Sequence, residues 1–279
     1  MKKKFILLSV MLAVIISMLT FCTNPSSADM VEDIQMTSIY LDNGNLNNAR
    51  NVANKVIEEY KNYSDGYHLL ASVYAQESNN LGSKEMCDKA LITYKKAIDI
   101  NNYMYIQKYD SYLQRAMLFW DFKHDKMSAL KEYDNAINSL SDYSQKSGLV
   151  YSQRGELKTE LNSPVGAQED LEKALSYPEL KNQGDLYVRT LAFLSKALYM
   201  QKKYAAAIGS ALDALNICGF CRSYPSLTAQ VYMAKSLYAK KDYDTAKSAA
   251  RMAKFHLEEA QQTSDQYYKD MIYIINNSK

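Results

Sequence analysis

Along the chain a small residue recurs, followed four and seven positions later by two more residues that are mostly small or apolar. The pattern occurs six times, as Ala49/Ala53/Val56, Ala90/Tyr94/Ala97, Ala129/Tyr133/Ala136, Ala167/Leu171/Ala174, Ala207/Ala211/Ala214 and Ala246/Ala250/Ala253. A spacing of four and then three puts all three side chains on one face of an α-helix, because 3.6 residues make a turn. Small side chains on that face let a second helix approach closely, and a larger one would cost about 1–3 kcal/mol by overpacking. Separations of 41, 39, 38, 40 and 39 residues between triplets mark a tandem repeat rather than chance. The pattern therefore predicts six helix–helix seams.

Ahead of the later triplets lies a second pattern, an aromatic or apolar residue followed at helical spacing by a small one. It reads Tyr67/Leu70/Ala71/Tyr74, Tyr112/Arg115/Ala116/Phe119, Tyr151/Arg154/Gly155, Leu191/Leu194/Ser195/Leu198 and Met233/Ala234/Leu237. Each unit is thus a pair of helices. Turn residues mark the joint within the pair: Asn43-Gly44-Asn45, Asn162-Ser163-Pro164, Lys202-Lys203-Tyr204 and Lys241-Asp242-Tyr243. With 9 glycines and 4 prolines in 279 residues, the chain lacks the breakers that a many-stranded sheet requires.

A first helix carrying an aromatic, a small residue and a tyrosine, a short turn, and then A-x3-[large or small]-x2-A resembles the tetratricopeptide repeat, and six copies run from about Met30 to Ala260. The resemblance implies an all-α fold of about six helix-turn-helix units stacked into a right-handed α-solenoid. The expected units are 30–63, 64–104, 105–147, 148–187, 188–226 and 227–260, within one domain over 29–279. A last helix over 264–277, with Tyr267, Tyr268, Met271, Ile272 and Ile275, is expected to cover the final pair, since an uncapped stack leaves apolar surface wet. The family period is about 34 residues. The excess length here is expected in the connectors 178–185 and 218–225 and in an insertion over 77–87, as lengthened second helices or extended loops.

The first 28 residues read as a secretory signal: Lys2 to Lys4, an apolar stretch from Phe5 to Phe21, and Ser26-Ser27-Ala28 as a small-x-small cleavage site. Leu19-Thr20-Phe21-Cys22 also resembles the bacterial lipobox, with Phe21 where that motif carries a small residue, so Cys22 is the candidate lipidation site. Cleavage after Ala28, lipidation at Cys22 and an uncleaved anchor stay open, and an N-terminal lipid or anchor is the one membrane contact expected. All three place the chain outside the cytoplasm, in the periplasm or at the outer membrane or cell surface of a bacterium.

Charge removes one class of partner. The chain has 33 Lys+Arg against 31 Asp+Glu, or 30 against 31 without Lys2, Lys3 and Lys4, and no basic run follows the leader. A nucleic-acid partner is not expected, since phosphate recognition needs a basic stripe. Cys218-Gly219-Phe220-Cys221 is the sharpest chemical signal. Thiol oxidoreductases place this spacing at a helix N-terminus, whereas here it follows a helix, and a local disulfide in an oxidising compartment is the expected outcome. His256 and Glu259 have ligand-like helical spacing but no second ligand pair, so no metal is expected. Without a Gly-rich phosphate loop, H-E-x-x-H or G-x-S-x-G, neither catalytic residues nor a cofactor are expected.

The family resemblance implies that the first helices line a concave groove that receives an extended peptide or a partner's helix. Carried onto this chain, the groove positions give His68, Met117, Trp120, Glu156, Arg189, Lys196, Tyr199 and Lys235 as the candidate partner-binding residues. Glu156 and Glu160 in the middle and Arg189, Lys196 and Lys235 towards the end suggest a bipolar surface, with Trp120 and Tyr199 as anchors. The expected function is a protein–protein interaction scaffold in the cell envelope or secreted. The alternatives are a thiol-redox protein using Cys218 and Cys221, or a small-molecule carrier.

Overall fold

The computed structural model describes residues 27–141, 146–218 and 223–278. Most of the leader, Cys22 and Cys221 lie outside the described residues. Among the described residues there is no strand. The helices are α1 (Ser27–Asp42), α2 (Leu46–Glu59), α3 (Asp65–Leu81), α4 (Lys84–Ile100), α5 (Lys108–Met117, continued by a π-helical turn over Leu118–Phe122), α6 (Lys126–Asn138), α7 (Ser147–Glu160), α8 (Pro164–Leu175), α9 (Pro178–Lys181), α10 (Gly184–Met200), α11 (Tyr204–Cys218), α12 (Tyr224–Ala239), α13 (Tyr243–Glu259) and α14 (Gln266–Asn277). They form two compact units that divide between Gln114 and Arg115.

Every hairpin turn reverses the chain in the same way. One residue enters the left-handed region, at Gly44, Gly82, His124, Asn162, Lys202 and Lys241. The next residue stands immediately before the following helix, and Asn45, Ser83, Asp125 and Asp242 cap it by accepting a backbone N–H. That next residue also donates its own N–H to a carbonyl five residues back, as in Ser163 to Lys158 at 2.9 Å and Lys203 to Leu198 at 2.9 Å, so that orphan carbonyls at the helix end are satisfied. Asp125 is the exception, reaching back six residues to Phe119 at 2.8 Å. The π-helical turn explains it: one extra residue is absorbed inside the helix, so the turn beyond keeps its geometry.

The turn also sets the register of the seam. Five residues after the left-handed residue comes the first buried small side chain: Ala49, Cys87, Ala129, Ala167, Ala207 and Ala246. In the second hairpin the seam therefore starts at Cys87, one turn earlier than the alanine triplet suggests, and continues through Leu91 and Tyr94. Of the two forms expected for the extra length over 77–87, longer helices or a longer loop, the structure has longer helices. Both helices of that hairpin are lengthened to 17 residues, and Gly82 turns the chain between them. The expected 178–185 connector contains the short helix α9, whose Leu180 is fully buried.

All eighteen residues of the six triplets have 0% of their surface exposed. Gly155 on α7 and Ser195 on α10, small residues of two first helices, meet them. A Cβ on Gly155 would lie 2.6 Å from Leu171 Cγ, and the Ser195 hydroxyl donates to the Ala207 carbonyl at 2.8 Å. Ion pairs clip two hairpins at their edge, Arg115 to Glu132 at 2.8 Å and, one repeat on, Arg154 to Asp170 at 2.6 Å.

Within the second unit α10 packs on α7, α12 on α10 and α14 on α12, with no comparable packing between consecutive second helices α8, α11 and α13. Closer approach of the first helices makes theirs the inner side of the curve. The last helix covers α12 and α13 with Met271 and Ile274, while Ile272 is exposed.

Candidate functional site

The candidate residues Met117, Trp120, Glu156, Arg189, Lys196, Tyr199 and Lys235 all belong to the second unit and stand on its first helices or on the π-helical turn. The Trp120 indole packs edge-on against Tyr133 at 6.3 Å, and Met117, at the start of the π-helical turn, is half-buried. Next to this aromatic pair the structure joins two charges that the bipolar reading kept apart. The Arg189 Nε and Nη2 donate to both oxygens of Glu156 at 2.6 and 2.7 Å. Burial raises the Glu156 carboxyl above the usual carboxylate range against the opposing pull of Arg189. Hydrogen bonding to that carboxylate in turn holds the guanidinium more firmly charged. Glu156 is 4% exposed, whereas Arg189 keeps an open edge towards solvent.

Lys196 lies one layer further, half-buried above the Phe193 ring at 5.5 Å. Burial lowers its ammonium below the usual lysine range, opposed by attraction to Glu160 and Glu156, neither of them in ion-pair contact with it. Its counterpart on the next first helix is differently supplied. Lys235 Nζ binds Asp270 at 2.5 Å and sits 5.3 Å from the Tyr199 ring centre and 5.2 Å from that of Tyr232. Around this ion pair lies a half-open cavity of about 260 Å³ lined by Tyr199, Lys235, Tyr238, Ala239, Asp270, Tyr273 and Ile274. Behind it Tyr232 packs edge-on to Tyr267 at 5.8 Å, and burial pushes the Tyr232 phenol up to about 12.

His68 has a different setting. It belongs to the first unit and is 9% exposed, edge-on to Tyr94 at 5.1 Å with its Nδ1 2.8 Å from the Ser111 hydroxyl. Like Glu156 it is a packed interior residue, because a ring in this position is covered by the neighbouring layer. Asp270 and Tyr273, which complete the cavity, escape a sequence reading that gives the last helix only a covering role. Their signal is the repeat itself, since Tyr199, Tyr238 and Tyr273 follow one another at the spacing of the layers.

The remaining chemical candidates sit apart from this face. Cys218 is half-buried at the end of α11, with its Sγ 4.0 Å from the Leu215 carbonyl oxygen, and Cys87 is fully buried in the seam. His256 Nδ1 lies 2.7 Å from Gln230 Oε1 on α12. Among the described residues no cluster of three or more His, Cys, Asp or Glu could hold a metal, and no helix is long and apolar enough to cross a membrane.

No family model matches the sequence, and no curated protein does. Solved structures do match in fold. The structure from a functional characterisation of Pseudomonas aeruginosa PilF superposes with a TM-score of 0.63 at 18% identity, covering 87% of this chain and 96% of that one. Apo RapI gives 0.62 at 14% identity, over 88% of this chain and 69% of the other. YrrB, described as a TPR protein with an unusual peptide-binding site, gives 0.58 at 16% identity, over 79% and 96%. With its six buried seams, its repeated turns and these likenesses, the chain has the fold of the tetratricopeptide-repeat proteins.

Proposed function

We propose that the chain is a non-catalytic scaffold of an exported or envelope-bound assembly, and that it holds a partner's peptide or helix against the inner face of its second unit. One observation carries this reading: Trp120 on the π-helical turn after α5, Arg189, Lys196 and Tyr199 on α10 and Lys235 on α12 all belong to first helices or their extension, each with its side chain only partly buried. Partly desolvated aromatic and basic side chains on a rigid support are what anchors of protein interfaces consist of. Lys196 supports it further, because half-burying an ammonium without an ion-pair partner disfavours the folded state. YrrB, of the same fold, is described as having a peptide-binding site, which is consistent with such a use of the face.

The reading is tested by crosslinking in the native envelope, affinity capture of the chain and mass spectrometry. Trp120 is the only tryptophan and a candidate anchor, so Trp120→Ala is expected to reduce capture of a specific partner about tenfold or more. Undiminished capture by a folded Trp120→Ala protein contradicts the assignment of that anchor.

A further inference from the structure

The hairpin turns of the second unit share one edge. Lys126 pairs with Glu160 across the first two at 2.7 Å, the Gln201 amide donates to the Pro164 carbonyl across the next two at 3.0 Å, and Lys203 and Lys240 line one cleft at the last two. Three residues beyond each left-handed residue stand Met127, Val165, Ala205 and Asp244. Met127 and Val165 are 66% and 60% exposed, the most exposed large apolar side chains of the second unit among the described residues. The first turn of a helix favours acidic side chains, so neither is there for the sake of its helix.

Lysines follow on the same edge. Lys202, Lys203, Lys240 and Lys241 are exposed on the last two turns. Lys202 and Lys241 hold left-handed positions, which favour glycine or asparagine as at Gly82 and Asn162, so the turn itself does not call for lysine. Between the two turns opens a cleft of about 470 Å³ lined by Lys202, Lys203, Lys240, Tyr204, Ala205 and Ala206. Among the described residues no carboxylate lines it, and Lys203 Nζ meets a neutral acceptor, Gln168 Oε1 at 2.9 Å. The acids of these two turns are Asp242, which caps α13 by accepting from the Thr245 N–H, and Asp244. Four lysines outnumber them.

A bilayer interface admits single apolar side chains among its headgroups, and each lysine held near an anionic leaflet adds about fivefold to partitioning. A protein partner would need a separate hollow for each projecting side chain. We propose that this edge of the second unit docks on an anionic membrane, with Met127 and Val165 entering the headgroup layer and a lipid phosphate held in the cleft by Lys202, Lys203 and Lys240. The contact is additional to an N-terminal lipid or anchor and does not use the inner face.

The test uses the full chain on vesicles of three parts phosphatidylcholine to one part phosphatidylglycerol, doped with a photoactivatable phosphatidylglycerol, and maps the lipid adducts by mass spectrometry of peptides. Mapping by position separates this edge from the apolar leader. Adducts are expected over 123–127, 163–166 and 202–206, falling about tenfold when Lys202→Gln is combined with Lys240→Gln, and likewise when Met127→Ser is combined with Val165→Ser. These side chains are surface groups of the turns, so the variants keep the fold, which circular dichroism checks. Vesicles of phosphatidylcholine alone, with the matching photoactivatable lipid, are expected to leave the turns unlabelled. Adducts confined to residues 1–28, turns labelled equally on neutral vesicles, or labelling unchanged in both double variants overturns the inference. So does an acidic protein crosslinked to the turn lysines in the envelope while lipid labels the leader alone, which assigns the edge to that protein.

Discussion

Gly155 shows at single-residue scale how tightly the layers are set. A methyl group there would meet Leu171 Cγ at 2.6 Å and the Ala167 carbonyl oxygen at 3.2 Å, and the backbone contact cannot rotate away. Gly155→Ala should therefore destabilise the fold by about 1–3 kcal/mol, despite alanine's better helix propensity, measured by denaturant unfolding. A neutral or stabilising result would mean that α7 and α8 are not in this contact. Lys196 makes the opposite case. Burial depresses its ammonium, so in the folded state the charged form is disfavoured, and this cost is fully present at neutral pH. Lys196→Met should raise the melting temperature at pH 7, and the gain should shrink as pH rises towards the ordinary lysine range near pH ~10. A gain that grows with pH contradicts the assigned direction.

At the scale of elements, the seams follow from 3.6-residue spacing, which is why they were legible in the sequence: each Ala-x3-x-x2-Ala face is defined by neighbours on one helix. Two features were less legible for stated reasons. In α4 cysteine stands where the other second helices begin their seam with alanine, so a search for alanine begins one turn late. In α5 the extra residue is absorbed by a π-helical turn, which leaves no gap or breaker in the sequence to announce it. The seam itself can be challenged with one pair of substitutions on two second helices, α13 and α11. Ala250 is fully buried and Ala206 is exposed, so Ala250→Leu should cost about 1–3 kcal/mol and Ala206→Leu less than about 0.5 kcal/mol. Equal effects would show that the face was misassigned.

At the scale of the molecule, each layer contacts mainly its neighbours, and the fold leaves function to the side chains that project from it. Those side chains were only partly readable. Trp120, Tyr199 and Lys235 stand on, or just past, the first helices of their repeats, so counting along the period reaches them. The cavity unites α10, α12 and α14 through residues up to 75 positions apart, Tyr199 to Ile274, and only folding reveals which side chain faces which. Burial of His68 and Glu156 is likewise a property of the stacked layers and not of either helix alone. In the second unit the inner side bears partly buried aromatic and basic side chains, while the outer side bears scattered exposed apolar residues such as Leu212 and Phe255. Placing a photo-crosslinking amino acid in turn at Trp120, Arg189, Leu212 and Phe255, and irradiating intact cells, measures which side is occupied. The account predicts a shared, discrete adduct from Trp120 and Arg189 and none from Leu212 or Phe255. Adducts from the outer positions alone would contradict it.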